Sequence, residues 1–298
     1  MNFLRNILRN SSLLLLIFVA MAFIFPGPAE GMKSLIIPSL ILAMTLSLQG
    51  TKIGKLGKEN RQQVLWLILA NFVLFTGLLI LASFLVPDPE FMQGMIVIAA
   101  VPPAIAVITA SFLMKADTER ALLAEAACYI LSLALTPLII WLFFRGQVDI
   151  WELVKILLLL IILPFILAKI LDWLKKKLSI KYDFKEVANL TFGFTFYLSV
   201  ALAVGRILSS LSAVIILIVI MIALTFGLGT LTIYLGKKMR IEKKDLALYP
   251  LFATFKNGNL ALGICISLFA VGSYVPIAIK SIVDAVYLVF LFWMFRKM

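Results

Sequence analysis

Apolar residues fall in ten blocks separated by short polar segments, at about 11–26, 31–50, 64–86, 92–114, 121–144, 150–172, 187–204, 211–235, 246–270 and 274–294. Most are near the ~20 residues that an α-helix needs to cross a hydrocarbon core. The pattern predicts an all-α integral membrane protein of ten transmembrane helices. Five blocks fill residues 1–145 and five fill 150–298. Five is odd, so the second set enters the membrane from the opposite side. Related halves of that kind form two inverted five-helix repeats, the usual plan of secondary transporters. Corresponding blocks of the two halves are interrupted. The fourth contains Pro102-Pro103 in IAAVPPAIAVITASFLM, and the ninth contains Asn257-Gly258-Asn259 in LFATFKNGNLALGICISLF. Proline removes a backbone donor and clashes with the preceding turn. Glycine between asparagines favours a turn. Each break lies about ten residues into its block, about 15 Å deep at 1.5 Å per residue. Broken backbone survives at that depth only where it is buried in protein or lines water. The expectation is a pair of crossed discontinuous helices, 4 and 9.

Charge orients the spans. Of 27 Lys and Arg residues, twenty fall on one side of the alternating loops. They are Arg5, Arg9, Lys52, Lys55, Lys58, Arg61, Lys115, Arg120, Lys175, Lys176, Lys177, Lys181, Lys185, Lys237, Lys238, Arg240, Lys243, Lys244, Arg296 and Lys297. Only Lys33, Arg145 and Arg206 fall on the other. Cytoplasmic loops carry the Lys/Arg excess, so both termini are expected in the cytoplasm, with the protein in the plasma (inner) membrane. The net charge of +12 is therefore an orientation signal and not a nucleic-acid surface. The first 25 residues resemble a signal peptide, but Phe25-Pro26-Gly27-Pro28 offers no small-residue cleavage site, and the segment counts as the first span.

Composition narrows the chemistry. The chain is 63% hydrophobic and 14% charged, against about 45–50% and about 25% in soluble domains. It has no histidine, which removes histidine bases and histidine metal sites. Cys128 and Cys265 lie in apolar runs, without the spacing of a zinc site or a disulfide framework. No GxxxxGK[ST] motif is present, and no clustered Ser/Lys or Asp pair supports an intramembrane enzyme. No cofactor or metal is expected.

Several segments resemble the bile acid:sodium symporter superfamily, which also includes arsenite carriers. They are LILAMTLSLQG, ANFVLFTGLL, AAVPPAIAVITASFLMKADTERALLAEAACYILSLALTP and FKNGNLALGICISLF. The chain resembles a divergent, prokaryotic-type member; carriers of auxin-efflux type share the plan. The resemblance implies a panel of helices 1, 2, 6 and 7 beside a core of the remaining six. It also marks departures. Asn71 stands where the family has glutamine. Val107 and Ile108 replace the Ser-Asn that supplies sodium ligands. Ala121 and Glu125 replace a serine and a threonine, Phe252 replaces a glutamate, and Lys256 replaces a glutamine. Sodium needs oxygen ligands, and an ammonium at Lys256 repels it.

Ionisable residues inside spans are functional candidates. Lys155 and Lys169 lie near span ends and are explained by snorkelling and local pairing. Lys256 lies too deep to snorkel and needs a counter-ion or an anionic substrate. Glu125 sits four or five residues into the fifth block, either as an interfacial carboxylate near Arg120 or in place of a sodium ligand. Asp284 lies at mid-depth, one helical turn from Lys280. The expected function is secondary transport of a small organic anion by alternating access, without sodium coupling and either proton-coupled or facilitative. Pro102, Pro103, Asn71, Lys256, Asn257 and Asn259 would bind substrate; Glu125, Lys256 and Asp284 would couple an ion, with Lys256 paired to Glu125 or Asp284. The alternative is a cation/proton antiporter using Glu125 and Asp284 with Lys256. The lipid bilayer and a small molecule are the expected partners; the sequence sets no oligomeric state.

Overall fold

A computed structural model describes residues 11–50, 61–179, 182 and 184–297. Arg5, Arg9, Lys52, Lys55, Lys58 and Lys181 of the basic segments lie outside the described residues. All regular structure among the described residues is helical. In chain order the helices are α1 (Ser11–Ile24), α2 (Ile36–Ser47), α3 (Arg61–Ser83), α4 (Pro89–Ala100), α5 (Ala106–Leu113), α6 (Thr118–Phe144), α7 (Ile150–Lys177) and α8 (Lys185–Ser209), followed by α9 (Leu211–Lys238), α10 (Leu248–Thr254), α11 (Gly258–Leu268) and α12 (Tyr274–Lys297). Short single-turn helices precede α2, α10 and α12.

Seven segments among the described residues are long and apolar enough to cross a membrane: α3, α6, α7, α8, α9, Lys243–Leu268 and Val271–Arg296. Leu13–Ile24, Lys33–Ser47 and Pro89–Ala100 are apolar but shorter. Large apolar side chains such as Leu81, Ile130, Trp151 and Ile215 point outward, as expected of helices surrounded by lipid. The chain is a multi-pass membrane protein.

Local chemistry sets the helix starts. Asp88 caps α4 by accepting from Glu90 N (3.0 Å) and Phe91 N (3.2 Å), with Pro89 in the first turn. Asp117 caps α6 through Arg120 N (2.9 Å), and Asp149 caps α7 through Trp151 N (2.8 Å). Each satisfies an N–H that has no partner within its own helix, and its charge matches the positive end of the helix. Helical backbone stops at 101–105 and again at 255–257. The causes differ. At the first, two consecutive prolines remove two donors. At the second, Phe255 is extended and Asn257 becomes the cap of α11, accepting from Leu260 N (3.1 Å). Three π-helical segments widen α3 (Ala70–Phe75), α7 (Leu158–Ile162) and α9 (Ala223–Gly227).

α8 packs mainly against α1 and α2, and α7 lies beside α2. α4 packs against α3, α6, α11 and α12; α10 packs against α3 and α9. Small residues permit the closest approaches. A Cβ on Gly94 of α4 would lie 2.2 Å from the Ser273 carbonyl oxygen, whereas one on Gly77 of α3 would meet nothing within 4 Å. Gly94→Ala should therefore lower the thermal midpoint of the purified protein, since overpacking costs about 1–3 kcal/mol. Gly77→Ala should leave it unchanged or raise it, because alanine is the better helix former by about 1 kcal/mol. Equal midpoints for the two variants would show that α4 and the Val271–Ser273 turn are not in contact.

Candidate functional site

A helix that ends inside a membrane protein leaves backbone carbonyls without helical partners. Among the described residues α4 and α10 end this way, and the carbonyls at their ends face donors from four segments: α3, α6, the second break and α12. At the end of α4, Thr76 Oγ1 donates to Ala99 O (2.7 Å) and Thr136 Oγ1 to Ala100 O (2.7 Å). Lys256 Nζ donates to Val101 O (2.9 Å), and Asn257 N donates to Pro102 O (2.8 Å). That last bond joins the two breaks through their backbones. At the end of α10, Asn71 Nδ2 donates to Phe252 O (2.8 Å) and Phe255 O (3.1 Å), and Lys280 Nζ donates to Thr254 O (2.8 Å). Two ammonium groups thus stand at the negative ends of two helices, where a cation is favoured.

Lys256 is buried, with 3% of its surface exposed. An ammonium has three hydrogens to give. Three oxygens take them at short range: Val101 O, Asn71 Oδ1 (2.8 Å) and Thr76 Oγ1 (2.9 Å). Asn71 O lies farther off at 3.4 Å, and the Phe72 ring centroid is 4.9 Å from Nζ. Every hydrogen-bond partner of this ammonium among the described residues is a neutral oxygen. The expected pairing with Glu125 or Asp284 is not what the geometry displays. Asp284 instead forms an i,i+4 ion pair with Lys280, whose Nζ also lies 5.2 Å from the Phe75 ring centroid. Asn71 is the hinge of the arrangement: its amide nitrogen holds the end of α10 while its amide oxygen holds Lys256.

Glu125 is the opposite case. It is 3% exposed, and neither carboxyl oxygen has a hydrogen-bond partner among the described residues. Its neighbours on α6, Ala121, Ala124 and Cys128, belong to the same apolar cluster as Val107 and Ala110 of α5. Arg120, one turn away, turns toward Asp117 and Asp245 instead. An ionised carboxylate without a partner is costly in such surroundings, so a proton or a bound cation must neutralise it.

The remaining candidates divide. Pro102 and Pro103 are buried at the first break. The Asn257 amide donates to the Tyr129 hydroxyl while its oxygen caps α11. Asn259 Oδ1 is buried and unpartnered among the described residues. Thr76, Thr136 and Tyr129 escape sequence reasoning. A hydroxyl inside a span is common, and only the position of the helix ends gives these three their role.

A family model described as the SBF-like CPA transporter family matches residues 11–287. Its members are membrane transporters rather than enzymes. No protein of curated function matches the chain.

Proposed function

The chain belongs to the SBF-like CPA transporter family, and we propose that it carries a small organic anion across the plasma (inner) membrane by alternating access, coupled to protons rather than sodium. The carrying observation is the filling of the break region. The ammonium of Lys256 already occupies the oxygen cage between the two breaks, and among the described residues no carboxylate is bonded to it. The N-terminal ends of α5 and α11 begin at these breaks, and such ends favour anionic groups.

The proposed layout is ten spans with both termini cytoplasmic, in two inverted halves, 1–145 and 150–298, of a prokaryotic-type carrier. Recurring features support it. The π-segments begin at Ala70 and Ala223, 153 residues apart, and the breaks begin at Val101 and Phe255, 154 apart. The start of α6 bonds to the turn before α10, through Asp117 N to Lys244 O (3.1 Å). The turn before α12 bonds to the start of α4, through Gly272 N to Glu90 Oε2 (2.9 Å). Those are corresponding places in the two halves. The packing of α1, α2, α7 and α8 supports a panel beside a core.

Asn259, with its free oxygen, and Asn257, Asn71, Pro102 and Pro103 line the proposed substrate region. Lys256 has no hydrogen left for an anion in this arrangement and acts as its positive background. Glu125 is the proposed proton site, and the Lys280–Asp284 ion pair a further charged group proposed to take part in coupling. The free acceptors of Glu125 and Asn259 also favour a second reading, cation/proton antiport. Proteoliposomes loaded with a pH-sensitive dye separate the two. With a panel of radiolabelled small carboxylates, an inward proton gradient should drive uptake of at least one, unchanged when sodium replaces potassium at fixed ionic strength. Sodium-dependent uptake defeats the proposal. Proton efflux on adding sodium or potassium alone establishes the antiporter instead.

A further inference from the structure

Three elements meet around one pair of carboxylates. Asp88, the cap of α4, also accepts from Arg206 Nη2 (2.8 Å). Arg206 Nε lies 3.4 Å from Glu90 Oε2, the oxygen that accepts from Gly272 N. The guanidinium carbon lies 5.9 Å from the Phe91 ring centroid. Gly272 presses directly on the cluster, since a Cβ there would lie 2.1 Å from Glu90 Oε2. The start of α4, the last turn of α8 and the turn before α12 are thereby tied together.

The cluster just beyond the C-terminal end of α5 joins different partners. Arg120 binds Asp117 and Asp245, so it ties the start of α6 to the turn before α10. Both of those belong to the helices that build the break region. Arg206 comes from α8, whose main packing is on α1 and α2. Its pair therefore crosses from one group of helices to the other. The side chains of Arg206 and Glu90 are 35% and 33% exposed, so water and salt reach them, while Asp88 is buried.

We propose that Arg206 is a positioning residue for the transport cycle: its pairs with Asp88 and Glu90 latch the α1–α2–α7–α8 group to the helices that carry the breaks, and the latch opens when the two groups move. The inference rests on the alternating-access reading above. Arg206 is hydrogen-bonded to Asp88 and within ion-pair distance of Glu90, so its removal breaks a charge-assisted bond and a second charge contact, and partly exposed charge contacts weaken with salt.

Two native thiols make the test direct. Cys265 on α11 is buried against Ser273, one residue beyond Gly272, and Cys128 on α6 is buried beside the breaks. In lipid nanodiscs, labelling of Cys265 by a charged maleimide is timed in Cys128→Ala protein, and labelling of Cys128 in Cys265→Ala protein. Arg206→Gln should speed Cys265 labelling by about fivefold or more and leave Cys128 labelling unchanged. Arg206→Lys should fall between. In protein with native Arg206, raising salt to about 1 M should speed Cys265 labelling, and in Arg206→Gln it should not. An unchanged Cys265 rate in Arg206→Gln, equal acceleration at both thiols, or equal salt response in both proteins overturns the latch. None of these outcomes touches the proton and sodium measurements, so failure of the latch is distinct from failure of the carrier reading.

Discussion

Lys256→Met should cost the folded protein about 2–4 kcal/mol and abolish transport. Methionine fills nearly the same volume but gives no hydrogen. Asn71 Oδ1 and Val101 O then lose their donor, and each buried, unsatisfied acceptor costs about 1–3 kcal/mol. Thr76 still donates to Ala99 O, so that bond is kept. Removing a buried charge returns part of its desolvation cost, which holds the net figure below the sum. The variant also discriminates between two origins of the effect. Were Lys256 the counter-ion of Asp284, Lys256→Met with Asp284→Asn would restore stability. With Lys256 bound to neutral oxygens, the two changes should add within about 0.5 kcal/mol. Unfolding in a denaturant series, single variants against the double, measures this. Compensation in the double variant would restore the ion-pair reading.

Glu125→Gln should have the reverse profile, with little change in stability and a large change in coupling. No hydrogen bond to either carboxyl oxygen is lost, because none is made among the described residues. The amide is neutral and close in shape, so stability should stay within about 1 kcal/mol of the native protein. A group that cannot take up or release a proton cannot couple to a proton gradient. Uptake into proteoliposomes should therefore lose its response to an imposed pH difference while the protein elutes and melts as the native chain does. Normal acceleration by the gradient in Glu125→Gln would move the proton site elsewhere.

The two interruptions are legible from sequence because their causes are local. Paired prolines and an Asn-Gly-Asn run impair a helix wherever they stand. The unusual depth of Lys256 is legible for the same reason, from its distance along an apolar run. Its partners are not. Asn71 and Val101 are 185 and 155 residues away, and nothing in the pattern of either segment points to the other. Charge reasoning sends a buried lysine to a carboxylate, and here it is answered by neutral oxygens of three kinds: a backbone carbonyl, an amide and a hydroxyl. The break itself supplies one acceptor, Val101 O, since a helix stopped at Ala100 leaves its last carbonyls without helical partners, and Asn71 and Thr76 of α3 supply the other two. Lys280–Asp284 is legible because four residues make a helical neighbour. The isolation of Glu125 is not, because it depends on Arg120 turning toward Asp117 and Asp245, and Asp245 lies in the other half of the chain.

The cage around Lys256 has a thermodynamic consequence. A dissociable ion contributes to a carrier's driving force through the ratio of its concentrations in the two compartments, because it is picked up on one side and left on the other. An ammonium fixed by its own side chain to residue 256 has no concentration on either side. Its chemical potential is the same at the start and end of every turnover, however tightly Asn71, Thr76 and Val101 hold it. While Lys256 keeps its proton, the position between the breaks can orient, repel or brace, but it passes no gradient energy to the substrate. Whatever work the carrier performs must enter through a group that exchanges its partner with bulk water.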